Sequence, residues 1–352
     1  MEYRKEIEDI VSNVINEGAS DLHLSEGRNP LIRVSGSLIP LAKRPPVTAA
    51  QMKGYIDEFL SDANKVLFER DKDVDFSYSL TNARFRGNAY YRQGMISVAL
   101  RLIPKQVRTL AELNLPPILE SFTRKPQGFF LCVGPIGQGK STTLASLIEI
   151  INQTRSEHIM TIEDPIEYIY DSKKSIIDQR EVRLDTPDFK DALVAMFRQD
   201  IDVALVGEMR DIDTISTAVT AAETGHLVFS TLHTNNAAQT INRIIDSFPP
   251  GQQDQIRVQL AGSLTGIFSQ RLIPRISGGL IPAYELLINN TAVANLIREK
   301  RIHEINTVIE TSSGEGMIDM NRSLAELVRR GEITVENAYV NSTNPKNLER
   351  MI

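Results

Sequence analysis

The N-terminal part of the chain alternates between two hydrophobic periodicities. Residues 4–17 carry apolar side chains at the spacing of one helix face, which predicts an amphipathic helix that ends at Gly18. Short segments in which apolar and polar residues alternate predict strands. The elements predicted here are a helix at 4–17, strands at 19–24 and 31–39 (a hairpin turning near Ser35-Gly36), a helix at 48–69, and strands at 75–80, 85–91 and 96–103. Together they indicate one mixed α/β domain.

From about residue 118 onward, short apolar runs alternate with helical patterns, which is typical of a parallel sheet with helices on both faces. The predicted strands are 128–133, 158–162, 203–206 and 226–232, and the predicted helices are 141–152, 186–198, 213–223, 236–245 and 252–267. Thr186 is predicted to cap the second of these helices, with Pro187 in its first position. Residues 282–352 are predicted to be mostly helical.

Composition restricts the class of protein. The chain has 352 residues, is 41% hydrophobic and 24% charged, and carries a formal net charge of -6, which is typical of a globular protein and argues against a nucleic-acid partner. Its single cysteine, Cys132, lies in a predicted strand and excludes an internal disulfide and a multi-cysteine zinc site. We find neither a signal peptide nor a spanning segment in the sequence, and therefore expect a cytoplasmic protein that meets a membrane only through partners.

One glycine-rich segment carries a specific chemical signal. Residues 134–142 read Gly134, Pro135, Ile136, Gly137, Gln138, Gly139, Lys140, Ser141 and Thr142, which fits the Walker A pattern G-x-x-x-x-G-K-[ST]. A predicted strand precedes the segment and a predicted helix follows it, as phosphate binding requires. Backbone N–H groups and the helix N-terminus would face the phosphates, Lys140 would add a positive charge, and the Ser141 hydroxyl would hold Mg²⁺. We predict an ATP site here.

Polar residues follow the other predicted strands where each strand ends. Because ligands of a parallel sheet bind outside the carboxyl ends of its strands, we expect these residues to converge on the phosphate loop. Glu208, which ends an apolar strand, is the predicted metal-holding acid, and Glu163 is the predicted catalytic base. Either acid is alternatively a helix cap or a surface ion pair. His233 is predicted to sense the γ-phosphate, whereas His226 begins its strand and is equally consistent with a structural role.

Arginines cluster in the last predicted strands of the N-terminal domain. They are Arg84, Arg86, Arg92 and Arg101. The ordinary interpretation is a solvated charged face. The functional interpretation is that an arginine reaches the nucleotide of another subunit.

The motifs together resemble those of the type IV pilus retraction ATPases, the PilT family of the type II/IV secretion ATPase superfamily. The resemblance runs nearly end to end. It is carried by Ala19–His23, by the arginine strand Arg84–Asn88, by the Walker A loop, by Thr161–Tyr168 (the Asp box), by Val206–Asp211 (Walker B) and by Gly225–Asn235 (the His box). With one cysteine and a short N-terminus, the chain is more similar to the retraction type than to extension and secretion ATPases, which carry a four-cysteine zinc site and an extra domain.

The resemblance implies a PAS-like N-terminal α/β domain, a RecA-like P-loop ATPase domain, and a homo-hexamer at the cytoplasmic base of the pilus machine, against an inner-membrane platform protein. We expect the domain at 1–103, a linker at 104–117, the RecA-like core at 118–280 and a helical C-terminal region at 281–352. The resemblance also implies a catalytic role for Glu163 and the Walker B role for Glu208. It further implies that arginines, here Arg86 and Arg101, act in the neighbouring subunit's site.

Two motifs depart from the family pattern, at three positions. Ile136 and Gln138 replace the threonine and serine of the usual loop, which we expect to preserve nucleotide binding while altering turnover. Ala294 stands where the family's C-terminal motif, which is tied to retraction, has an arginine. Other possibilities are therefore a secretion or conjugative-transfer motor, a ring-joining paralogue that hydrolyses ATP poorly, and a DNA motor, which the acidic balance disfavours.

Overall fold

The computed structural model describes residues 2–34, 36–41, 44–80, 83–103 and 106–352, with no account of the Glu2 side chain. Ser35 of the predicted hairpin turn and Pro104 and Lys105 of the predicted linker lie outside these residues. The chain divides into two compact units. Unit 1 comprises residues 1–106 together with 165–169, and unit 2 comprises residues 107–164 and 170–352.

Unit 1 is an antiparallel sheet covered by helices. Its elements are α1 (Glu2–Asn16), β1 (Asp21–Ser25), β2 (Leu31–Val34), β3 (Ser37–Pro40), α2 (Ala49–Phe59), α3 (Asp62–Asp71), β4 (Asp73–Leu80), β5 (Ala83–Arg92) and β6 (Met95–Ile103). In the described residues the six strands run in the order β3-β2-β1-β6-β5-β4. The apolar face of α1 and the inward side chains of the strands form one core, with Ile7, Leu22, Met52 and Phe85 buried.

Unit 2 is built on a mostly parallel sheet. Its elements are α4 (Glu120–Thr123), β7 (Gly128–Val133), α5 (Lys140–Thr154), β8 (His158–Glu163), β9 (Ile176–Glu181), α6 (Phe189–Met196), β10 (Val203–Val206), α7 (Ile212–Glu223), β11 (Leu227–Leu232), α8 (Ala237–Asp246), α9 (Pro250–Ser263), β12 (Leu264–Pro274), β13 (Leu280–Ile288), α10 (Thr291–Arg298), α11 (Ile305–Thr311), α12 (Met320–Arg329), α13 (Val335–Asn341) and α14 (Pro345–Glu349). The strand order is β13-β12-β7-β11-β10-β8-β9, with β13 antiparallel at one edge.

Burial explains why the central strands were predicted correctly from sequence. Every residue of β7, β10 and β11 is buried, because helices cover both faces of a parallel sheet and the strands must be apolar throughout. Cys132 lies in β7 and is fully buried, and burial raises the pKa of its thiol to about 12. The predicted structural role of this cysteine is therefore consistent with its surroundings.

The single helix predicted over residues 48–69 is wrong, because the structure has two helices there. Leu60 is extended, and the Ser61 side chain accepts a hydrogen bond from Asn64 N–H at 3.3 Å, which caps a new helix. The predicted start of the helix at 186–198 is also wrong. Asp188 is the cap and accepts from Asp191 N–H at 2.8 Å, so α6 begins at Phe189.

Three strands were missed. The predicted helix at 252–267 ends at Ser263, and β12 begins at Leu264, where Thr265 and Gly266 are poor helix formers. The mostly helical tail begins with a strand, β13, so that interpretation is wrong for residues 282–288 and holds for most of the remainder. The edge strand β9 mixes polar and apolar residues and gives no clear period. Within the described ranges, no helix combines the length and apolarity that crossing a membrane requires.

Candidate nucleotide site

The carboxyl ends of four neighbouring parallel strands bring the predicted site residues to one edge of the unit 2 sheet. Strands β7, β11, β10 and β8 lie side by side in that order and run in the same direction. The Walker A loop follows β7, Gly207–Arg210 follow β10, and His233 follows β11. Glu163 is the last residue of β8. The convergence that the sequence predicts is therefore present.

The Walker A loop lies directly between β7 and helix α5. Lys140 is the first residue of α5, and Gly139 precedes it with φ +81°, a left-handed conformation that glycine adopts readily. A Cβ at Gly134 would lie 2.4 Å from the backbone oxygen of Gln270, so only glycine fits there. Ile136 is exposed at the tip of the loop, and Ser141 is half-buried in the first turn of α5.

Lys140 is buried and its ammonium group lies among polar partners. Its Nζ donates to the carbonyl oxygens of Gly134 at 2.9 Å and Pro135 at 2.8 Å. It also lies 3.3 Å from Nδ1 of His233. The lysine therefore contacts both the loop that begins its own helix and the segment that follows β11.

His233 connects the lysine to the Walker B acid. Its Nε2 lies 3.6 Å from Oε2 of Glu208, which also forms an ion pair with Arg210. The carboxylate of Glu208 raises the pKa of the Arg210 guanidinium through this hydrogen bond. Lys140, His233 and Glu208 thus form a continuous polar contact across the ends of three strands.

Glu163 is held separately, on the far side of β10. Its side chain is buried, and Oε1 accepts a hydrogen bond from the Thr161 hydroxyl at 2.7 Å and a longer one, of 3.5 Å, from Gln179 Nε2. Asp164, the next residue, forms an ion pair with Arg183 at 3.1 Å. Glu163 is thus an oriented carboxylate, whereas the exposed partner of Asp164 indicates an ordinary surface ion pair.

The two arginines proposed for a neighbouring site lie in unit 1, opposite one another on β5 and β6. Arg86 Nη1 lies 3.5 Å from Oε1 of Glu167, within the segment 165–169 that groups with unit 1. Arg101 Nε lies 3.0 Å from Oδ1 of Asp21. Burial raises the pKa of Asp21, but hydrogen bonds from Ser20 and Arg101 outweigh it, and the pKa ends below its ordinary value.

His226 lies at the opposite end of β11 from His233. Its Nδ1 is 3.0 Å from the carbonyl oxygen of Ala221, and its ring packs edge-on against Phe197 with 5.4 Å between centroids. These contacts are consistent with the structural alternative for His226. Across the described ranges, no group of three or more His, Cys, Asp or Glu side chains could hold a metal ion.

Sequence reasoning missed four side chains that support the site. Thr161 and Gln179 hold Glu163, while Gln270 and Thr143 bind one another behind the Walker A loop at 2.6 Å. Thr161 is the first residue of the Asp box and Thr143 directly follows the Walker A loop, but neither carries a signal of its own that predicts these contacts. Gln270 and Gln179 lie on strands that were not predicted, so no pattern placed them near the loop.

Comparison with known proteins decides the family. A family model described as "Type II/IV secretion system protein" matches residues 2–279. The chain belongs to this family. It is 42% identical over 343 residues to the type IV pilus retractation ATPase PilT of Pseudomonas aeruginosa, covering 97% of this chain and 99% of that protein. It is 44% identical over 321 residues to a twitching motility protein of Neisseria gonorrhoeae, covering 91% of this chain and 86% of that protein.

A solved structure agrees with these relatives. The crystal structure of the pilus retraction motor PilT with bound ADP superposes with a TM-score of 0.91 at 46% identity, covering 97% of this chain and 98% of that one. The family, the fold class (an N-terminal α/β domain followed by a RecA-like ATPase domain) and the ATPase activity predicted from the sequence are thereby confirmed. The chain is a nucleotide-binding protein of this family.

Proposed function

We propose that the chain is an ATP-hydrolysing motor that drives the disassembly of type IV pili, and hence twitching motility. The observation that carries the proposal is the continuous contact from Lys140 in the Walker A loop, through His233, to Glu208, with the buried Glu163 on the next strand. These are the groups that phosphoryl transfer to water requires: a positive charge, an acid that holds the metal, and a carboxylate that orients the nucleophile.

ATP would bind along the Walker A loop. The backbone N–H groups of residues 136–142 and the N-terminus of α5 would face its phosphates. Lys140 would neutralise the β- and γ-phosphate oxygens and give up its present contacts with Gly134 and Pro135. His233, whose Nδ1 lies 3.3 Å from Lys140 Nζ, would sense the γ-phosphate. These steps need no group beyond the loop and the segment after β11.

The oxygen donors near the loop fit Mg²⁺. This ion is bound by one or two protein oxygens together with substrate phosphates, and Ser141 and Glu208 supply a hydroxyl and a carboxylate. When bound, Mg²⁺ offsets charge on the transferring phosphoryl group. One oxygen of Glu208 pairs with the exposed Arg210 and the other lies 3.6 Å from Nε2 of His233, so Mg²⁺ would share or replace these partners when it binds.

Glu163 would orient the attacking water and accept its proton. Glu163 is buried, and its Oε1 accepts a hydrogen bond from Thr161. This contact orients the carboxylate, and the second oxygen, Oε2, would accept the proton of the water. A positioned general base contributes roughly 10²- to 10⁴-fold to a rate. The chain reaches unit 1 two residues later, since residues 165–169 group with that unit. This covalent link is a direct route by which the state of the nucleotide can bias unit 1.

Arg86 and Arg101 of one subunit would complete the site of its neighbour. Both guanidinium groups are partly exposed and are held by acids of their own unit, Glu167 and Asp21. Exchanging these partners for a γ-phosphate would add positive charge where negative charge develops, a contribution worth about 10³-fold or more. The rate of hydrolysis would then be high only in the assembled ring.

We propose that the chain assembles as a homo-hexamer. We place it at the inner face of the cytoplasmic membrane, bound to a platform protein of the pilus machinery, because the retraction relatives are described as pilus motors. We assign the PAS-like domain to residues 1–103, the linker to 104–117, the RecA-like core to 118–280 and the helical C-terminal region to 281–352, although β13 shows that the sheet continues past residue 280.

The proposal is tested by Mg²⁺-dependent ATP hydrolysis and by complementation. The purified chain is expected to hydrolyse ATP with a rate per subunit that rises with protein concentration, and Lys140→Ala is expected to lose hydrolysis. In a strain that makes type IV pili without retracting them, the chain is expected to restore twitching. If the chain binds ATP without turnover at any concentration, the motor function is contradicted. If DNA stimulates turnover, a DNA motor replaces the pilus motor.

A second function, that of a ring-joining paralogue that hydrolyses poorly, is favoured by one observation. Ala294, at the position of the family's retraction-linked arginine, is buried in the unit 2 core. Because burying an unpaired charge is unfavourable, an arginine at this position would have to extend its guanidinium group out of the core. Under this alternative the chain binds ATP, joins a ring with an active partner and restores twitching only when that partner is present.

A further inference from the structure

A glutamine that departs from the family's usual loop makes a specific contact with the sheet. The Oε1 atom of Gln138 accepts a hydrogen bond of 2.6 Å from the backbone N–H of Leu272 on β12. In return, Gln270 Nε2 donates to the backbone oxygen of Gln138 at 2.8 Å. Two hydrogen bonds of opposite direction therefore join the Walker A loop to one strand.

The position of Leu272 explains why a side chain is needed. Strand β12 pairs with β7 as far as Ser269 and Val133, and the chain then turns away at Gly134 into the loop. Beyond that point the N–H groups on this edge of β12 have no further residue of β7 to bind. The carboxamide oxygen of Gln138 accepts a hydrogen bond from the N–H of Leu272 and so replaces the missing strand partner at this edge of β12.

Gln270, on β12, contacts the same loop. Its side chain is buried, and Oε1 accepts from the Thr143 hydroxyl at 2.6 Å on the first turn of α5. Its backbone oxygen lies against Gly134 so closely that a Cβ there would be 2.4 Å away. One residue of β12 thus contacts the beginning of the Walker A loop, its middle and the helix that follows.

We propose that Gln138 and Gln270 are positioning residues that fix the Walker A loop on β12 in its phosphate-binding conformation, so that Gln138 sets nucleotide affinity without touching the nucleotide. This inference rests on the proposed function of the site. The loop contains three glycines, which allow its backbone many conformations, and the contacts with β12 restrict it in addition to the hydrogen bonds that Lys140 Nζ donates to Gly134 and Pro135. Holding it in one conformation removes an ordering cost from nucleotide binding.

The variant Gln138→Met tests this directly. Methionine is unbranched and similar in length, but it has no oxygen to accept the Leu272 N–H. Leaving a covered N–H unpaired changes an equilibrium constant by roughly 5- to 150-fold, and part of this should appear in binding. We expect the dissociation constant for a fluorescent ADP analogue to rise about tenfold, and kcat at saturating ATP to stay within about twofold.

A second variant and a control separate positioning from general damage. Gln138→Ser should raise the dissociation constant by only about two- to threefold, because the smaller side chain admits a water to the Leu272 N–H. Gln252→Met, an exposed glutamine on α9, should bind ADP as the wild type does. Hydrogen exchange of the segment 264–274 should be faster in Gln138→Met than in either the wild type or the control.

The outcomes are distinct. Tenfold weaker binding with faster exchange at β12 supports the inference. Wild-type ADP affinity in Gln138→Met overturns it, whether or not exchange is faster, and so does a variant that loses kcat while keeping its affinity. If circular dichroism shows that Gln138→Met is misfolded, Gln138→Ser becomes the test. Hydrogen exchange at 264–274 and ADP affinity equal to those of the wild type in Gln138→Ser would then overturn the inference. A wild-type chain that binds no ADP would contradict the proposed function itself.

Discussion

The Thr161 hydroxyl donates a 2.7 Å hydrogen bond to Oε1 of Glu163. The two residues are separated by one position on β8, so their side chains lie on the same face of the strand. Both are buried. The strand itself therefore sets the direction of the carboxylate that we propose as the catalytic base, and this relationship makes a prediction for each partner.

Thr161→Val should lower kcat by about 3- to 10-fold while ADP affinity stays within about twofold. Valine has nearly the shape of threonine, so the strand is kept, but Glu163 loses the donor that orients it. Steady-state kinetics with ATP measures kcat, and titration with a fluorescent ADP analogue measures the affinity. Thr311→Val, at the exposed end of α11, is the matched control and should behave as the wild type. An equal loss of kcat in Thr161→Val and Thr311→Val would contradict the orienting role of Thr161.

Glu163→Gln and Glu208→Gln should fail differently. The first keeps the shape of the side chain but cannot accept a proton, so hydrolysis should fall by about 100-fold or more with nucleotide binding retained. The second weakens the predicted metal ligand, so the Mg²⁺ concentration at half-maximal activity should rise severalfold. Mg²⁺ titrations of activity and ADP titrations distinguish them. The roles would have to be exchanged if Glu208→Gln alone abolished turnover at saturating Mg²⁺.

Glu285 predicts a pH dependence of stability. It lies on β13, almost fully buried, and accepts the Ala237 N–H that begins α8 at 2.8 Å. Burial raises the pKa of Glu285 to about 7; the Ala237 N–H lowers it, Asp319 raises it and Arg271 lowers it. The folded protein thus holds this proton more tightly than the unfolded chain does. Its contribution to stability is complete below pH 4.5, the ordinary value, and is lost as the pH rises through about 7.

Glu285→Gln should remove this loss, because glutamine keeps an acceptor for Ala237 and carries no charge. Relative to the wild type, the variant should become more stable between pH 5 and pH 8 by roughly 1–3 kcal/mol in the free energy of unfolding. Denaturant unfolding at the two pH values measures this difference. The exposed Glu349→Gln should show no such change. Parallel pH profiles for wild type and Glu285→Gln would refute the prediction.

The sequence predicted the residues at the strand ends because the motif and the strand pattern are both local. Lys140, His233 and Glu208 follow apolar runs whose burial on both faces makes them easy to recognise, and a parallel sheet brings such ends together. The same reasoning placed Glu163 correctly at the end of β8. No knowledge of distant contacts was needed for these residues.

The supporting residues were not predictable, because their partners are far away in the chain. Gln270 and Gln138 are separated by 132 positions, and β12 carries apolar residues at spacings that also fit a helix. Gln179 lies on a polar edge strand with no period. Likewise, the ion pair of Arg86 with Glu167 joins unit 1 to a short segment embedded in the sequence of unit 2, which only the folded chain shows.

The shared site, with arginine from one subunit and glutamate from the next, is the central claim, and mixed rings test it most directly. Two differently tagged variants, Arg86→Ala and Glu163→Gln, are co-expressed, and rings containing both are isolated by consecutive affinity steps. Each variant alone should be nearly inactive. Arg70→Ala, which removes an exposed arginine of unit 1 paired with Asp71, should remain active as the control.

In a mixed ring some sites combine an intact glutamate with an intact arginine from the neighbour. Random mixing makes about a quarter of the sites complete, so the account predicts that ATP hydrolysis recovers to roughly that fraction of the wild-type rate. If the arginine acts within its own subunit, every site lacks one group. Mixed rings that stay as inactive as the separate variants would contradict the shared site.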